Sequence, residues 1–104
     1  MLMGKVAGTV VSTQKDPGLE SFKMQIVQIV DFDMKKTSNY LVAVDAIGAG
    51  YDEMVIVVQG SSARLTAQTK NKPVDAAIIA IVDLVDIEGD LRYRKSHHPE
   101  AASR

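Results

Sequence analysis

The sequence predicts a mainly β protein, a small barrel of five strands with one short helix between the fourth and fifth strands. Three observations support this prediction. Five short runs are rich in β-branched and other apolar residues, the segments between them are polar or contain Gly and Pro, and most of those segments are too short for a crossover helix. The chain has 104 residues, a length typical of a single domain.

The predicted strands alternate with recognisable turns. The polar segment 33–39 predicts a turn between the second and third strands. After the fourth strand, Ser61 or Ser62 is expected to cap a short helical turn. Residues 88–90 predict a hairpin turn and residues 91–93 a short return strand. The five strands are expected at residues 5–13, 24–32, 40–45, 53–59 and 77–87.

Composition excludes several classes of function. The 12 basic and 13 acidic residues nearly balance, so the charge gives no general attraction to nucleic acid or to an anionic membrane. The absence of cysteine excludes a disulfide framework and a thiolate metal site. No apolar run reaches the ~20 residues that span a bilayer, and the N-terminus lacks a signal-peptide core, so we expect a soluble, non-secreted protein that is not inserted in a membrane. No cofactor is expected.

The folded domain is expected to cover residues 1–94, and residues 95–104 are expected to form a polar tail. This tail holds the two histidines, His97 and His98. Adjacent histidines on an extended chain point in opposite directions, so they make a poor chelate, and no functional metal site is expected.

Two of the predicted strands are apolar on both faces, which a small monomeric barrel does not explain. Only one face can point into the barrel, and the chain offers few other elements to cover the second. A partner subunit is therefore the expected cover. In the fifth strand one face carries Ile79, Ile81 and Val85, and the other carries Ile78, Ala80, Val82 and Leu84.

Small residues on either side of the fourth strand are the first candidates for a functional site. Gly48-Ala49-Gly50 lacks the third glycine and the following helix of a dinucleotide fingerprint, which favours a turn or a close subunit contact. Gly60-Ser61-Ser62-Ala63-Arg64 could hold a phosphate, but it has no Walker spacing. With both histidines in the tail, neither serine has an evident catalytic base.

Acidic residues provide no clear catalytic pair. Most of them fall at strand ends and turns, where Asp accepts hydrogen bonds from backbone amides. Asp83 is the exception, because it interrupts an apolar run and would need a partner if buried; Arg64 is the expected one.

A five-stranded barrel also raises the alternative of a module that binds single-stranded nucleic acid or a small ligand. Such modules stack bases on aromatic side chains along a basic groove. The five aromatic residues of this chain are not interleaved with Lys or Arg, and its densest basic patch is the short segment Arg92 to Lys95.

Three segments resemble the EutN/CcmL family of bacterial microcompartment shell proteins. They are "GKVAGTVVSTQKDPGLESFKMQIVQ", "LVAVDAIGAGYDEMVIVVQGSSAR" and "PVDAAIIAIVDLVDIEG". The resemblance covers residues 4–93.

The resemblance implies an OB-like barrel assembled as a cyclic homopentamer, or as a hexamer, at the corners of a carboxysome or metabolosome shell in the bacterial cytoplasm. It implies a structural protein rather than an enzyme, with hexameric shell proteins as partners. We then expect the small-residue segments to lie at the subunit interface or the central opening: Gly48, Ala49, Gly50, Gly60, Ser61, Ser62, Ala63 and Arg64.

Overall fold

The computed structural model describes residues 1–20, 22–70 and 72–95. Its main feature is a closed barrel of five strands in the order β1-β2-β3-β5-β4. The strands are β1 (Leu2–Val10), β2 (Lys23–Val30), β3 (Lys36–Asp45), β4 (Met54–Gln59) and β5 (Ala76–Ile81). The predicted fold class is therefore confirmed.

Pairing within the barrel is antiparallel except at one place. There, β3 and β5 pair in parallel, through Val44 with Ala77 and Asp45 with Ile78. This two-residue contact closes the barrel. β3 and β5 run in the same direction because β4, which runs opposite to β5, lies between them in the chain. The connection from β4 to β5 contains a short 3₁₀ helix, Gly60–Arg64. Another 3₁₀ helix, Pro17–Leu19, lies between β1 and β2.

The third strand begins earlier than its sequence predicts. The polar residues 36–39 are part of β3 rather than a turn. Side chains support this pairing: Gln28 Nε2 donates to the Thr37 carbonyl at 2.9 Å, and Thr37 Oγ1 donates to the Ile29 carbonyl at 2.8 Å. Polar residues can therefore continue a strand where the neighbouring strand supplies partners.

The fifth predicted strand is two strands. β5 ends at Ile81, and β6 (Leu84–Ile87) pairs with β7 (Asp90–Arg94) in a separate two-stranded sheet. The break at Val82 and Asp83 redirects the chain, and the Val82 N–H donates to the Met54 carbonyl at 2.8 Å. The predicted hairpin turn is confirmed, with Glu88 and Gly89 at φ of 53° and 81°.

The barrel interior is a small aliphatic core. Because the side chains of a strand alternate in direction, every second residue of each strand points inward. The buried members of this cluster are Val6, Val27, Ala43, Ala49, Val55, Val57, Ala76 and Ile78.

A second buried cluster covers part of the outer surface of the barrel. Phe22 and Val74, from the connections, pack with outward residues of the strands and with Ala63 of the second 3₁₀ helix. The expectation that the chain has too few elements to cover this face is therefore wrong here. The strand residues that it covers are Val44, Val58 and Ala77.

Other apolar side chains remain exposed in the single chain. Tyr40 and Val42 of β3 are exposed by 58% and 49%, and Leu84 and Leu91 of the hairpin by 45% and 49%. They belong to a larger set of exposed apolar side chains, which also includes Val11, Phe32, Ile47, Tyr51 and Leu65.

Candidate subunit-contact surfaces

The loop after β3 is organised by the carboxylate of Asp45. This side chain is buried and accepts hydrogen bonds from the backbone N–H groups of Ile47 (2.9 Å), Gly48 (3.0 Å) and Ala49 (2.8 Å). The prediction that strand-end aspartates bond backbone amides is confirmed here. Asp31 provides a second case, since it accepts from the amide of Asp33 at 2.9 Å.

A buried glutamine continues this network into the barrel. Gln25 Nε2 donates to Asp45 at 3.2 Å and to the Ala49 carbonyl at 2.9 Å, and Thr9 Oγ1 donates to Gln25 Oε1 at 3.0 Å. The three side chains come from β1, β2 and β3. Sequence reasoning missed this network, because its members are 16 and 20 residues apart and carry no local motif.

The small residues of segment 48–50 have different roles. Gly48 is exposed and has a φ of +95°, a conformation that side-chain-bearing residues rarely adopt. Ala49 is buried in the barrel core, so its small size is explained by packing within the chain. Gly50 donates its N–H to Glu53 Oε1 at 2.6 Å. An intersubunit contact by the exposed part of this loop stays a prediction.

Segment 60–64 forms the second 3₁₀ helix. Its N-cap is Gln59, without a side-chain capping bond, so the prediction that Ser61 or Ser62 caps the helix is wrong. Both serines are exposed. Gly60, at φ +64°, donates its N–H to the Asp75 carbonyl at 2.7 Å. Ala63 is fully buried in the outer cluster of its own chain.

The expected buried pair of Asp83 and Arg64 does not form within the chain. Asp83 is exposed, because the strand breaks beside it and turns its side chain outward. Arg64 is also exposed, and its guanidinium donates to the Val74 carbonyl at 3.1 Å. Neither side chain therefore has the desolvation that the prediction of a buried pair assumed.

Arg64 instead borders an open depression of about 740 Å³ next to the second 3₁₀ helix. The depression carries three cations and one carboxylate. Its lining residues are Asp16, Ser61, Arg64, Leu65, Lys70, Lys72 and Pro73.

The hairpin of β6 and β7 is attached at the start of β4, whereas the depression lies beyond the end of that strand. Tyr93 packs against the buried Met54, Val30 and Val82, and burial raises the pKa of its phenol above the usual 10.0. Lys5 Nζ lies 5.9 Å from the centre of the Tyr93 ring. The hairpin is thus held by packing and by side-chain contacts rather than by the hydrogen-bond ladder of the barrel.

In residues 1–20, 22–70 and 72–95, no group of three or more His, Cys, Asp or Glu side chains is placed to hold a metal ion. His97 and His98 lie outside the described residues. The same part of the chain has no helix that is both long and apolar enough to cross a membrane.

Comparison with known proteins agrees with this architecture. A relative from Nostoc sp., "Carboxysome shell vertex protein CcmL", is 46% identical over 96 residues, covering 91% of this chain and 95% of the relative. The structure of Gloeobacter violaceus CcmL superimposes with a TM-score of 0.88 at 41% identity, covering 91% of this chain and 98% of that one.

A shorter solved relative is described as the GrpN pentameric microcompartment shell protein from Rhodospirillum rubrum. It superimposes with a TM-score of 0.76 at 42% identity, covering 84% of this chain and all of that chain. The sequence profile of the family described as "Ethanolamine utilisation protein EutN/carboxysome" matches residues 1–83. Since the profile covers the whole barrel, the chain belongs to the EutN/CcmL family.

Proposed function

We propose that this chain forms the pentameric vertices of a bacterial microcompartment shell in the bacterial cytoplasm. The observation that carries the proposal is the family membership, together with the close fit of the barrel to relatives named as shell vertex proteins. A closed shell cannot be built from hexagonal tiles alone, because a flat hexagonal net closes only when five-fold corners are inserted. The chain would supply those corners and have a structural rather than a catalytic role.

The uncovered apolar side chains support assembly. Tyr40, Val42, Leu84 and Leu91 remain exposed in the single chain, although all are large and apolar. Contact with neighbouring subunits would remove part of this surface from water, at about 25 cal/mol per Å² of apolar area. Association costs offset part of this gain, so the buried area alone does not determine how many subunits form the ring.

Several predicted contact residues remain available at the surface. Gly48, Gly60, Ser61, Ser62 and Arg64 are exposed, and Gly50 is partly exposed. We place these six residues at the subunit contacts or around the central opening. The buried methyl groups of Ala49 and Ala63 face their own chain and are left out of this proposal.

The oligomeric state is tested by native mass spectrometry of the purified chain at several concentrations. We expect five copies per particle. A monomer at all concentrations would contradict the vertex role, and six copies would indicate a different ring.

The role in shell closure is tested by co-expression with a hexameric shell protein. Electron microscopy should show closed polyhedra when this chain is present and open sheets or tubes when it is omitted. A vertex protein of the family serves as the positive control. Equal numbers of closed shells in both samples would contradict the proposal.

A further inference from the structure

The tip of the β6–β7 hairpin is acidic. Asp86, Glu88 and Asp90 are all exposed, and Asp90 lies 3.5 Å from Arg92 Nε. Among the described residues, the carboxylates of Asp86 and Glu88 have no ion-pair or hydrogen-bond partner. The hairpin therefore offers at least two unpaired negative charges.

Exposed leucines accompany these charges. Antiparallel partners point to the same face of a sheet, and Asp86 is paired with Leu91. Leu84 also lies two residues before Asp86, so its side chain points to the same face. Leu84, Asp86 and Leu91 thus form a mixed apolar and acidic surface on the outside of the hairpin, and Arg94, which pairs with Leu84, borders it at the end away from the acidic tip.

The depression beside the second 3₁₀ helix has the complementary character. The side-chain ammonium groups of Lys70 and Lys72 have no partner within the described part of the chain, and Arg64 uses one of its nitrogens on the Val74 carbonyl. The lining carboxylate of Asp16 already accepts the Gly18 N–H at 2.8 Å. Leu65, at the same site, is 81% exposed.

The two surfaces cannot meet within one chain. The hairpin is attached at Met54, where β4 begins, and the basic depression lies beyond Gln59, where β4 ends. Five strand steps of ~3.4 Å separate these points by about 17 Å. A cyclic assembly requires two different surfaces on each subunit that complement each other head to tail.

We infer that the acidic hairpin of one copy docks into the basic depression of the next copy in the ring. In this contact Asp86 and Glu88 face Lys70 and Lys72, while Leu84 and Leu91 cover Leu65. The inference rests on the proposed ring assembly and names its contact surfaces. The exposed leucines on both sides favour a protein surface over a small free anion as the occupant of the depression.

The extent of the family match is consistent with this assignment. The profile ends at residue 83, immediately before β6, whereas the match to the Nostoc sp. relative covers 91% of this chain and therefore includes the hairpin. The pentameric GrpN chain is matched over its whole length by 84% of this chain, so it is the shorter of the two. We therefore expect the hairpin to strengthen a ring contact that the barrel also makes.

The test is a charge swap measured by native mass spectrometry and by light scattering after size exclusion. One variant carries Asp86→Lys and Glu88→Lys, a second carries Lys70→Glu and Lys72→Glu, and a third combines all four substitutions. At ~0.1 M salt, each double variant should raise the concentration for half-dissociation of the ring at least about tenfold. The combined variant should restore it to within about threefold of the unmodified chain.

The matched control is Lys23→Glu with Lys36→Glu, which makes the same charge change on exposed lysines of β2 and β3 that belong to neither surface. This control should leave the ring intact. Intact rings from both double variants, or dissociation that the combined variant does not repair, would overturn the inference while leaving the proposed function in place. An unmodified chain that never forms a ring would instead overturn the proposed function.

Circular dichroism checks that each variant is folded. If the lysine substitutions at the hairpin unfold the chain, Asp86→Asn with Glu88→Gln replaces them, and a smaller loss of assembly is expected. Unchanged assembly in that neutral variant would also overturn the inference.

Discussion

The carboxylate of Glu53 joins the 48–50 loop to the end of the hairpin. Its Oε1 accepts the Gly50 N–H at 2.6 Å, and its Oε2 lies 2.8 Å from Lys95 Nζ. One side chain therefore couples a loop predicted to lie at a subunit contact to the strand pair that carries the acidic surface.

Glu53→Gln should destabilise the chain in a pH-dependent manner. The hydrogen bonds from Lys95 and Gly50 lower the pKa of Glu53 below its ordinary 4.5, so the carboxylate stabilises the folded state above that value. The contribution is lost as the pH falls through the folded-state pKa. We expect a loss of about 1 kcal/mol in the free energy of unfolding at neutral pH, measured by urea titration, and a smaller difference near pH ~3.

Lys95, which pairs with Glu53, sets the alkaline limit of this stabilisation. The bond to Glu53 raises the pKa of Lys95 above 10.5, so the stabilisation is lost only as the pH rises through that raised value. Glu20→Gln is the control, since Glu20 is exposed and belongs to no proposed contact. A difference between Glu53→Gln and the unmodified chain that stayed constant from acid to neutral pH would disprove the role of this carboxylate charge.

Asp45→Asn should be more damaging than its modest chemical change suggests. An amide cannot accept from three backbone N–H groups and from Gln25 as a carboxylate does, and its own NH₂ would face donors. We expect the free energy of unfolding, measured by urea titration, to fall by about 2 kcal/mol or more. The exposed Asp31→Asn provides the control, with an expected loss below about 1 kcal/mol. Similar losses at both sites would show that burial of the Asp45 network contributes little.

Gly4→Ala should destabilise the barrel, whereas Gly8→Ala on the same strand should not. A Cβ on Gly4 would lie 2.5 Å from Val27 Cγ1 and 2.7 Å from the Gln28 carbonyl oxygen. The nearest atom to a Cβ on Gly8 is Ile26 Cδ1 at 3.8 Å, an ordinary contact. We expect Gly4→Ala to lower the free energy of unfolding by about 1–3 kcal/mol. Equal melting temperatures for the two variants would contradict the close approach of β1 and β2.

Ala63→Leu and Ser62→Trp should separate folding from assembly. Ala63 is fully buried in its own chain, so a larger side chain should cost about 1–3 kcal/mol of stability. Ser62 is exposed, so Ser62→Trp should weaken the ring and, at concentrations low enough that the unmodified chain is monomeric, leave the melting temperature unchanged. Thermal melts and native mass spectrometry measure the two effects. A fully assembled Ser62→Trp ring would remove Ser62 from the proposed contacts.

The sequence by itself determined that the barrel has five strands, because alternation and β-branched runs are local properties of a chain. Four of the five barrel strands were located within a few residues, and the short helix between β4 and β5 and the hairpin turn at Gly89 were predicted correctly. The start of β3 was misplaced, because its polar first residues are held by Gln28 of another strand. The break at Val82 was missed, because it depends on the backbone of Met54.

Tertiary structure alone decided which side of each apolar strand is covered and which polar groups are buried. Asp83 looked buried from its apolar neighbours and is exposed, whereas Asp45 looked like an ordinary turn residue and is buried with Gln25. Ala49 and Ala63 looked like contact residues and belong to the core of their own chain. Burial depends on which distant segments meet in space, and alternation along one strand distinguishes its two faces without showing what lies against either.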